Sequence, residues 1–278
     1  MYRVSKVLNN NGVIAIDMDE NKEYVILGKG VGFGKKVSQR FDKPEGCTTY
    51  RLEQETERGS AKELVKGIEP EYLEIADAIL TESQKVFGDS IDRGILFPLA
   101  DHISFAVARI RRNEQISNPL TEDIKVLFYS EFKVAETTEN NFMRERLQIE
   151  IDDHEVGYVA LHIHSAIGDE KVSVAMQTAR AVRECIDMIE KATGKPIDVL
   201  SLSYNRLMNH MKYMVARAST GEKLNLDMNE YMLDQYPQAY KVATDICKNL
   251  EGCIGHKLDE TETGYLAMHI QRVYKDAV

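Results

Sequence analysis

The chain has 278 residues, 43% of them hydrophobic and 29% charged, and a formal net charge of −10. This composition excludes wholesale disorder and a polyanion grip spread over the whole surface, and the length fits two or three small domains. No apolar run approaches the roughly 18 to 20 residues of a membrane span, and Met1 opens a polar stretch without a signal-peptide core, so the protein is expected in the cytosol with no membrane insertion.

The first forty residues differ from the rest in charge. Between Met1 and Phe41, seven basic residues (Arg3, Lys6, Lys22, Lys29, Lys35, Lys36 and Arg40) oppose four acids (Asp17, Asp19, Glu20 and Glu23), leaving a head of +3 on a body of −13. A small polyanion-binding module on an acidic body fits that division. The head reads as short strands: Tyr2–Leu8 and Val13–Asp17 around the turn formers Asn9-Asn10-Asn11-Gly12, then Glu23–Leu27, Val37–Arg40 and Thr48–Leu52. So small an antiparallel sheet buries little surface, and dimerisation would help it.

Between the third and fourth of these strands runs Gly28-Lys29-Gly30-Val31-Gly32-Phe33-Gly34-Lys35-Lys36. Nucleotide-binding glycine loops require a helix directly after them, and none is predicted here. In a β-module, close glycines let backbone approach a ligand, Lys29, Lys35 and Lys36 can meet phosphates, and Phe33 offers a stacking face. Asn9, Asn10 and Asn11 add amides able to bond base edges or 2′-hydroxyls. An ordinary β-loop with surface lysines accounts for the run equally well.

After a linker expected at Glu57–Gly59, apolar residues recur at helical spacing in Ile91–Arg112, Val172–Ala192, Leu202–Arg217, Ala239–Leu250 and Glu260–Val273. Asp153 and Asp259 precede two helices as expected caps. The four cysteines, Cys47, Cys185, Cys247 and Cys253, lack the close pairing of zinc or redox motifs, so free thiols are expected.

Within this helical part the chain repeats itself. Leu99-Ala100-Asp101-His102-Ile103-Ser104-Phe105-Ala106-Val107-Ala108-Arg109 is answered 108 residues on by Leu207-Met208-Asn209-His210-Met211-Lys212-Tyr213-Met214-Val215-Ala216-Arg217. Phe132-Lys133-Val134-Ala135 is answered by Tyr240-Lys241-Val242-Ala243, and Gly157-Tyr158-Val159-Ala160-Leu161-His162-Ile163 by Gly264-Tyr265-Leu266-Ala267-Met268-His269-Ile270. Three blocks in one order at a nearly constant offset indicate a duplicated domain, joined near Ile167–Ser173. A lone histidine on an apolar helix face is usually a satisfied core residue. Four in register, His102, His162, His210 and His269, ask for more. A metal site is disfavoured because His164 is matched by Gln271, and hydrolysis because Asp101 is matched by Asn209. Accepting a phosphoryl group at a ring nitrogen remains, a charge change large enough to remake a helical interface.

Together these residues make the chain resemble the BglG/LicT/SacY-type transcription antiterminators, which join an N-terminal co-antiterminator (CAT) RNA-binding domain to two phosphotransferase-system regulation domains (PRDs). The resemblance rests on Lys6-Val7-Leu8-Asn9-Asn10-Asn11, the Gly28–Lys36 run, Asp101-His102-Ile103, Leu161-His162-Ile163, Asn209-His210 and Met268-His269-Ile270. The glycine run and Ala160-Leu161-His162-Ile163-His164-Ser165-Ala166 are most similar to the GlcT branch.

The resemblance implies a multidomain fold: an all-β CAT domain over residues 1–57, then two homologous all-α helical-bundle PRDs over 67–171 and 172–278. It implies a homodimer that binds a ribonucleic antiterminator hairpin through Lys6, Asn9, Asn10, Asn11, Gly28, Lys29, Gly30, Phe33 and Lys35. It further implies phosphorylation of His102, His162, His210 and His269 by HPr and a sugar-specific enzyme II permease, and control of a sugar operon, glucose first. A β-glucoside or sucrose operon is the nearest alternative, and a histidine metal-dependent hydrolase or a DNA-binding PRD activator a more distant one. No catalytic residue, metal or cofactor is assigned, and the chain is not expected to be an enzyme.

Overall fold

The computed structural model describes residues 1–53, 55–56, 59–89, 91–168, 171–194, 196–198 and 201–276. It forms two compact units, one of residues 1–118 and 130–172, the other of residues 119–129 and 173–278.

The first unit opens with a five-stranded antiparallel sheet of β1 (Tyr2–Asn9), β2 (Gly12–Asp17), β3 (Lys22–Leu27), β4 (Arg40–Phe41) and β5 (Thr48–Arg51), in the order β4-β1-β2-β3-β5. The period-two pattern of β2 turns Val13 and Ala15 inward, where they pack with Ile26, Val31 and Cys47 under a rim of Tyr2, Val7, Tyr24 and Phe41. A bulge between Val4 and Lys6 breaks the alternation of β1, so Val4 is buried while Lys6 is exposed. The strand expected at Val37–Arg40 contracts to Arg40–Phe41. Ser38 adopts left-handed backbone (φ 69°), which no strand accommodates, although its N–H still bonds the Val4 carbonyl at 2.8 Å. A short hairpin, β6 (Glu55–Thr56) with β7 (Gly59–Ser60), stands where the linker was expected; residues 57–58 lie outside the described residues.

The helices are α1 (Ala61–Gly67), α2 (Pro70–Phe87), α3 (Leu96–Arg111), α4 (Thr121–Leu127), α5 (Tyr129–Phe142), α6 (Asp153–Gly168), α7 (Val172–Thr193), α8 (Leu202–Thr220), α9 (Asn229–Gln235), α10 (Pro237–Ile254) and α11 (Thr261–Asp276). A 3₁₀ turn (Arg93–Ile95) leads into α3, and a π-helical turn (Met143–Leu147) follows α5. The duplication is thus five helices, α2–α6, answered by five, α7–α11. The helical spacing and the caps read from the sequence leave out α1, α2, α4, α5 and α9; α1, α4 and α9 are only seven residues long, too short to display a period. The join expected near Ile167–Ser173 falls between α6 and α7, with residues 169–170 outside the described residues.

The sheet is fastened to the helices of its own unit. Tyr50 of β5, 3% exposed, meets Phe97 edge-on at 6.3 Å, and its hydroxyl bonds the Asp77 carboxylate of α2. Arg93 closes the corner by donating to the Tyr50 oxygen at 2.7 Å and to Asp77 at 2.8 Å. A polar hub of this kind fixes orientation, and helix burial supplies what so small a sheet cannot bury alone.

In the second unit, α4 packs on α8, where the fully buried Tyr204 donates to Asp123 at 3.3 Å and Lys212 lies 5.9 Å above the Phe128 ring. Burial pushes the Asp123 carboxyl above the usual carboxylate range. Its counterpart α9 packs on α10 and α11. There the glycine of the second Gly-Tyr word finds its reason: a Cβ on Gly264 would stand 2.7 Å from the backbone of Met228 and Asn229, so only glycine lets α9 approach α11.

Asp259 caps α11 as expected, accepting from the Thr261 N–H at 3.1 Å. In the first copy the capping carboxylate is Asp152 rather than the expected Asp153: its Oδ1 accepts from His154 N–H at 3.0 Å and Glu155 N–H at 3.2 Å. Asp152 is also the residue that the 107-residue offset pairs with Asp259. All four cysteines are free, and among the described residues no helix is long and apolar enough to cross a membrane.

Candidate functional site

Two kinds of site emerge. The first is a face of the sheet where the β1–β2 turn and the glycine-rich loop are knitted together. The Gly28 N–H donates to the Asn11 carbonyl at 2.9 Å, the Gly32 N–H to the Asn10 carbonyl at 2.9 Å, and the Gly30 N–H to the Asn11 side-chain oxygen at 3.0 Å. Asn9 in turn accepts the Asn11 N–H at 2.8 Å, an Asx turn that holds the asparagine run. A Cβ on Gly32 would fall 2.0 Å from the Asn9 carbonyl oxygen, so the two segments touch backbone to backbone. Within the loop Val31 is buried as an anchor, whereas Phe33 is 74% exposed. Lys35 lies 4.5 Å above the Phe41 ring, and Lys6, Asn10 and Lys29 are exposed. The structure therefore gathers Asn9, Asn10, Asn11, Gly28, Lys29, Gly30 and Phe33 about one turn-and-loop pair. It presents amides, cations and one bare aromatic ring, the groups that meet unpaired bases and phosphates.

The second kind of site occurs twice. In the first unit, α3 brings His102 and α6 brings His162 to a ring separation of 5.4 Å, both residues less than 10% exposed, with Tyr158 5.6 Å from His102. Glu155, 1% exposed, receives Arg109 Nη2 at 2.8 Å through one oxygen and stands 3.3 Å from His102 Nε2 through the other. Burial alone would raise the Glu155 carboxyl, but its contacts with His102 and Arg109 outweigh burial and hold it below the usual range.

In the second unit, α8 and α11 repeat the plan. His210 and His269 stack at 4.8 Å with 24° between the rings, and Tyr265 lies 6.1 Å from His210. Arg217 grips Glu262 with both arms of its guanidinium, at 2.6 and 3.0 Å, leaving His210 Nε2 3.7 Å away. Burial, the neighbouring His269 and Arg217 push His210 down to about 3; burial, Arg272 and Arg206 push His269 down to about 4. Both rings are therefore neutral at pH 7, so the His210–Glu262 approach is polar rather than ionic. Buried ring nitrogens, Nε2 of His210 and Nδ1 of His269, have no hydrogen-bond partner. Neutral rings are what a nucleophilic imidazole requires, and orphaned buried nitrogens are rare enough to mark a reactive position.

All four predicted histidines are thus paired as the repeat implies. His164 instead faces the buried Glu131 at 2.9 Å. Glu155 and Glu262, with Arg109 and Arg217, escaped the reading of the sequence. Their signal was present: both arginines close the repeated histidine words, and both glutamates stand two residues before the repeated Gly-Tyr, at one offset. Among the described residues no group of three or more His, Cys, Asp and Glu lies close enough to hold a metal ion.

Comparison with known proteins covers both parts of the chain. The CAT RNA binding domain model matches residues 2–59, and the PRD domain model matches residues 77–166 and again 183–273. The chain is 30% identical to the GlcA/glcB genes antiterminator of Staphylococcus carnosus, with 97% of this chain and 94% of that protein covered. It is 27% identical to the transcription antiterminator LicT of Bacillus subtilis, with 99% and 100% covered. Among solved structures, the crystal structure of GlcT CAT-PRDI superposes with a TM-score of 0.52 at 29% identity, covering 60% of this chain and 98% of that one. These matches place the chain in the family of transcription antiterminators of the GlcT/LicT/BglG type, with one CAT RNA-binding domain and two PRDs.

Proposed function

We propose that this chain binds a hairpin in a nascent leader RNA through the asparagine and glycine-loop face, keeps a terminator from forming, and is switched by phosphorylation of its PRD histidines. It works as a regulator rather than an enzyme, as a cytosolic homodimer. HPr and a sugar-specific enzyme II permease are the phosphoryl donors. The likeness to GlcT proteins and to a glcA/glcB antiterminator supports a glucose phosphotransferase operon as its target.

The observation that carries the reading is the construction of one His–His–Glu–Arg arrangement twice, with the second pair of rings neutral and in stacking contact. The lone pair of a neutral ring attacks the phosphorus of a donor phosphohistidine; the donor P–N bond breaks as the new P–N bond forms, and the acceptor keeps its other ring N–H. The added charge of about −2 cannot be housed between rings 4.8 Å apart, so the helices that carry them must separate. That repulsion links sugar supply to the arrangement of a PRD.

The test is incubation of the full chain with enzyme I, HPr and phosphoenolpyruvate, with and without a glucose permease domain. Acid-labile phosphate is expected on His102, His162, His210 or His269 by mass spectrometry, and no label at any of the four would sink the switch. For the RNA half, Lys6→Ala and Phe33→Ala are expected to abolish the mobility shift of a leader hairpin while the helices stay folded. An unchanged shift in both variants would remove that half.

A further inference from the structure

We infer that Glu74 of α2 is an internal competitor for RNA: its carboxylate occupies the amides of Asn9 and Asn11 that RNA would use, and must be displaced when RNA binds. The inference rests on the assignment of those asparagines to RNA contact and concerns how that same face is regulated.

Asn9 Nδ2 donates to Glu74 Oε1 at 2.7 Å, and Asn11 Nδ2 donates to Glu74 Oε2 at 3.1 Å, so one carboxylate brackets both amides. These bonds span 65 and 63 residues of sequence, joining the β1–β2 turn to a helix that runs into the first PRD. Arg146, in the π-helical turn after α5, stands 3.5 Å from Glu74 Oε2 and packs its guanidinium 5.4 Å from the Phe142 ring. Three donors therefore converge on a side chain that is 17% exposed.

The chemistry of this contact is that of the proposed ligand. A carboxylate presents paired anionic oxygens to amide N–H groups, as a phosphate does, and bonds to an ionised acceptor are roughly twice as strong as neutral ones. Each amide's N–H that points at Glu74 is closed to an RNA oxygen while that bond lasts, and an RNA phosphate brought to this turn meets a like charge. Lys29 and Phe33 are left exposed by the contact, so they can make the first encounter while the asparagines are still held. Apparent affinity then falls by the fraction of chains in which Glu74 has let go.

The experiment titrates the full chain with a fluorescently labelled RNA stem-loop selected from a randomised stem-loop pool against the wild-type chain, with anisotropy as the readout. Glu74→Ala is expected to tighten binding by about tenfold, corresponding to a wild-type competent fraction of about one tenth. Glu74→Gln, which keeps one acceptor oxygen and loses the charge, is expected to fall between the two. Glu71→Ala, removing the same charge three residues earlier on α2, is expected to leave affinity unchanged. Equal tightening by Glu71→Ala would overturn the inference in favour of general charge repulsion. Unchanged or weaker binding in Glu74→Ala, while Phe33→Ala still abolishes binding, would overturn the competitor and leave the RNA reading standing. Should Glu74→Ala fail to fold by circular dichroism, Glu74→Gln decides alone: tighter binding supports the inference and unchanged binding overturns it. Failure to select any stem-loop, or binding indifferent to Phe33→Ala, would overturn the RNA reading and the competitor with it.

Discussion

The two PRD histidine sites share their residues but hold their glutamates differently. In the first, Glu155 gives one oxygen to Arg109 and leaves the other 3.3 Å from His102 Nε2 without a hydrogen bond; in the second, both oxygens of Glu262 go to the fork of Arg217, and His210 stands back at 3.7 Å. The rings respond: those of the first pair tilt by 41° at 5.4 Å, those of the second lie nearly parallel at 4.8 Å. A carboxylate whose two oxygens are taken by arginine leaves the neighbouring histidine to the effect of burial. One duplicated sequence thus yields two sites of different geometry through the placing of a single guanidinium.

The largest effect expected from this contrast is on pH dependence. His210 and His269 are depressed in the folded protein to about 3 and about 4, below the unfolded value of about 6.5, so below that pH the unfolded chain binds more protons than the folded one. The stability of the second unit is therefore complete above pH 6.5 and lost as pH falls towards 4. Each ring contributes about 1.4 kcal/mol per pH unit, on the order of 4 kcal/mol for the pair between pH 6.5 and 5. Denaturant titrations across that range check it, and a slope that survives in the His210→Asn, His269→Asn double variant would break the contrast.

Next in size is Glu262→Ala, which strands a mostly buried guanidinium and is expected to cost about 3 kcal/mol. Glu155→Ala is expected to cost somewhat less, about 2 kcal/mol, because Arg109 is more exposed than Arg217 and makes one bond rather than two. Equal losses in paired urea titrations would show that the two arginines are held alike after all. The smallest effect is expected from Asn209→Asp, which copies the first site's Asp101 into the second. Asn209 is exposed, so stability should change by no more than about 0.5 kcal/mol. A change beyond 1 kcal/mol would mean that this position, and not the arginine, separates the sites.

How much of this was legible in the sequence depended on whether a pattern had a period or a partner. The antiparallel head was readable because β2 and β3 alternate or run apolar between turn formers, and the four histidines because each occurs in a word with a copy. The short β4 was not, since the left-handed Ser38 carries no glycine to announce it. Helices α4 and α9 were too short for periodicity, and that α4 packs on α8 is a tertiary choice no local signal encodes. Glu155 and Glu262 could have been found by aligning the copies beyond their longest words. Glu74 could not: it gains meaning only when α2 folds against a turn more than sixty residues away, and nothing in its surroundings marks it from the other acids of α2.

One consequence follows from Gly32. With no room for a side chain against the Asn9 carbonyl, the glycine-rich loop is shaped during folding, together with the turn it touches. A free loop would lose its conformational freedom on meeting its ligand, at about 1 kcal/mol or more for each residue ordered. Here that loss has already been absorbed by the fold, so once Glu74 has let go the complex forms by collision and orientation rather than by a search through loop shapes. Such a ready-made surface suits a regulator that must seize a transcript before the polymerase has moved past it.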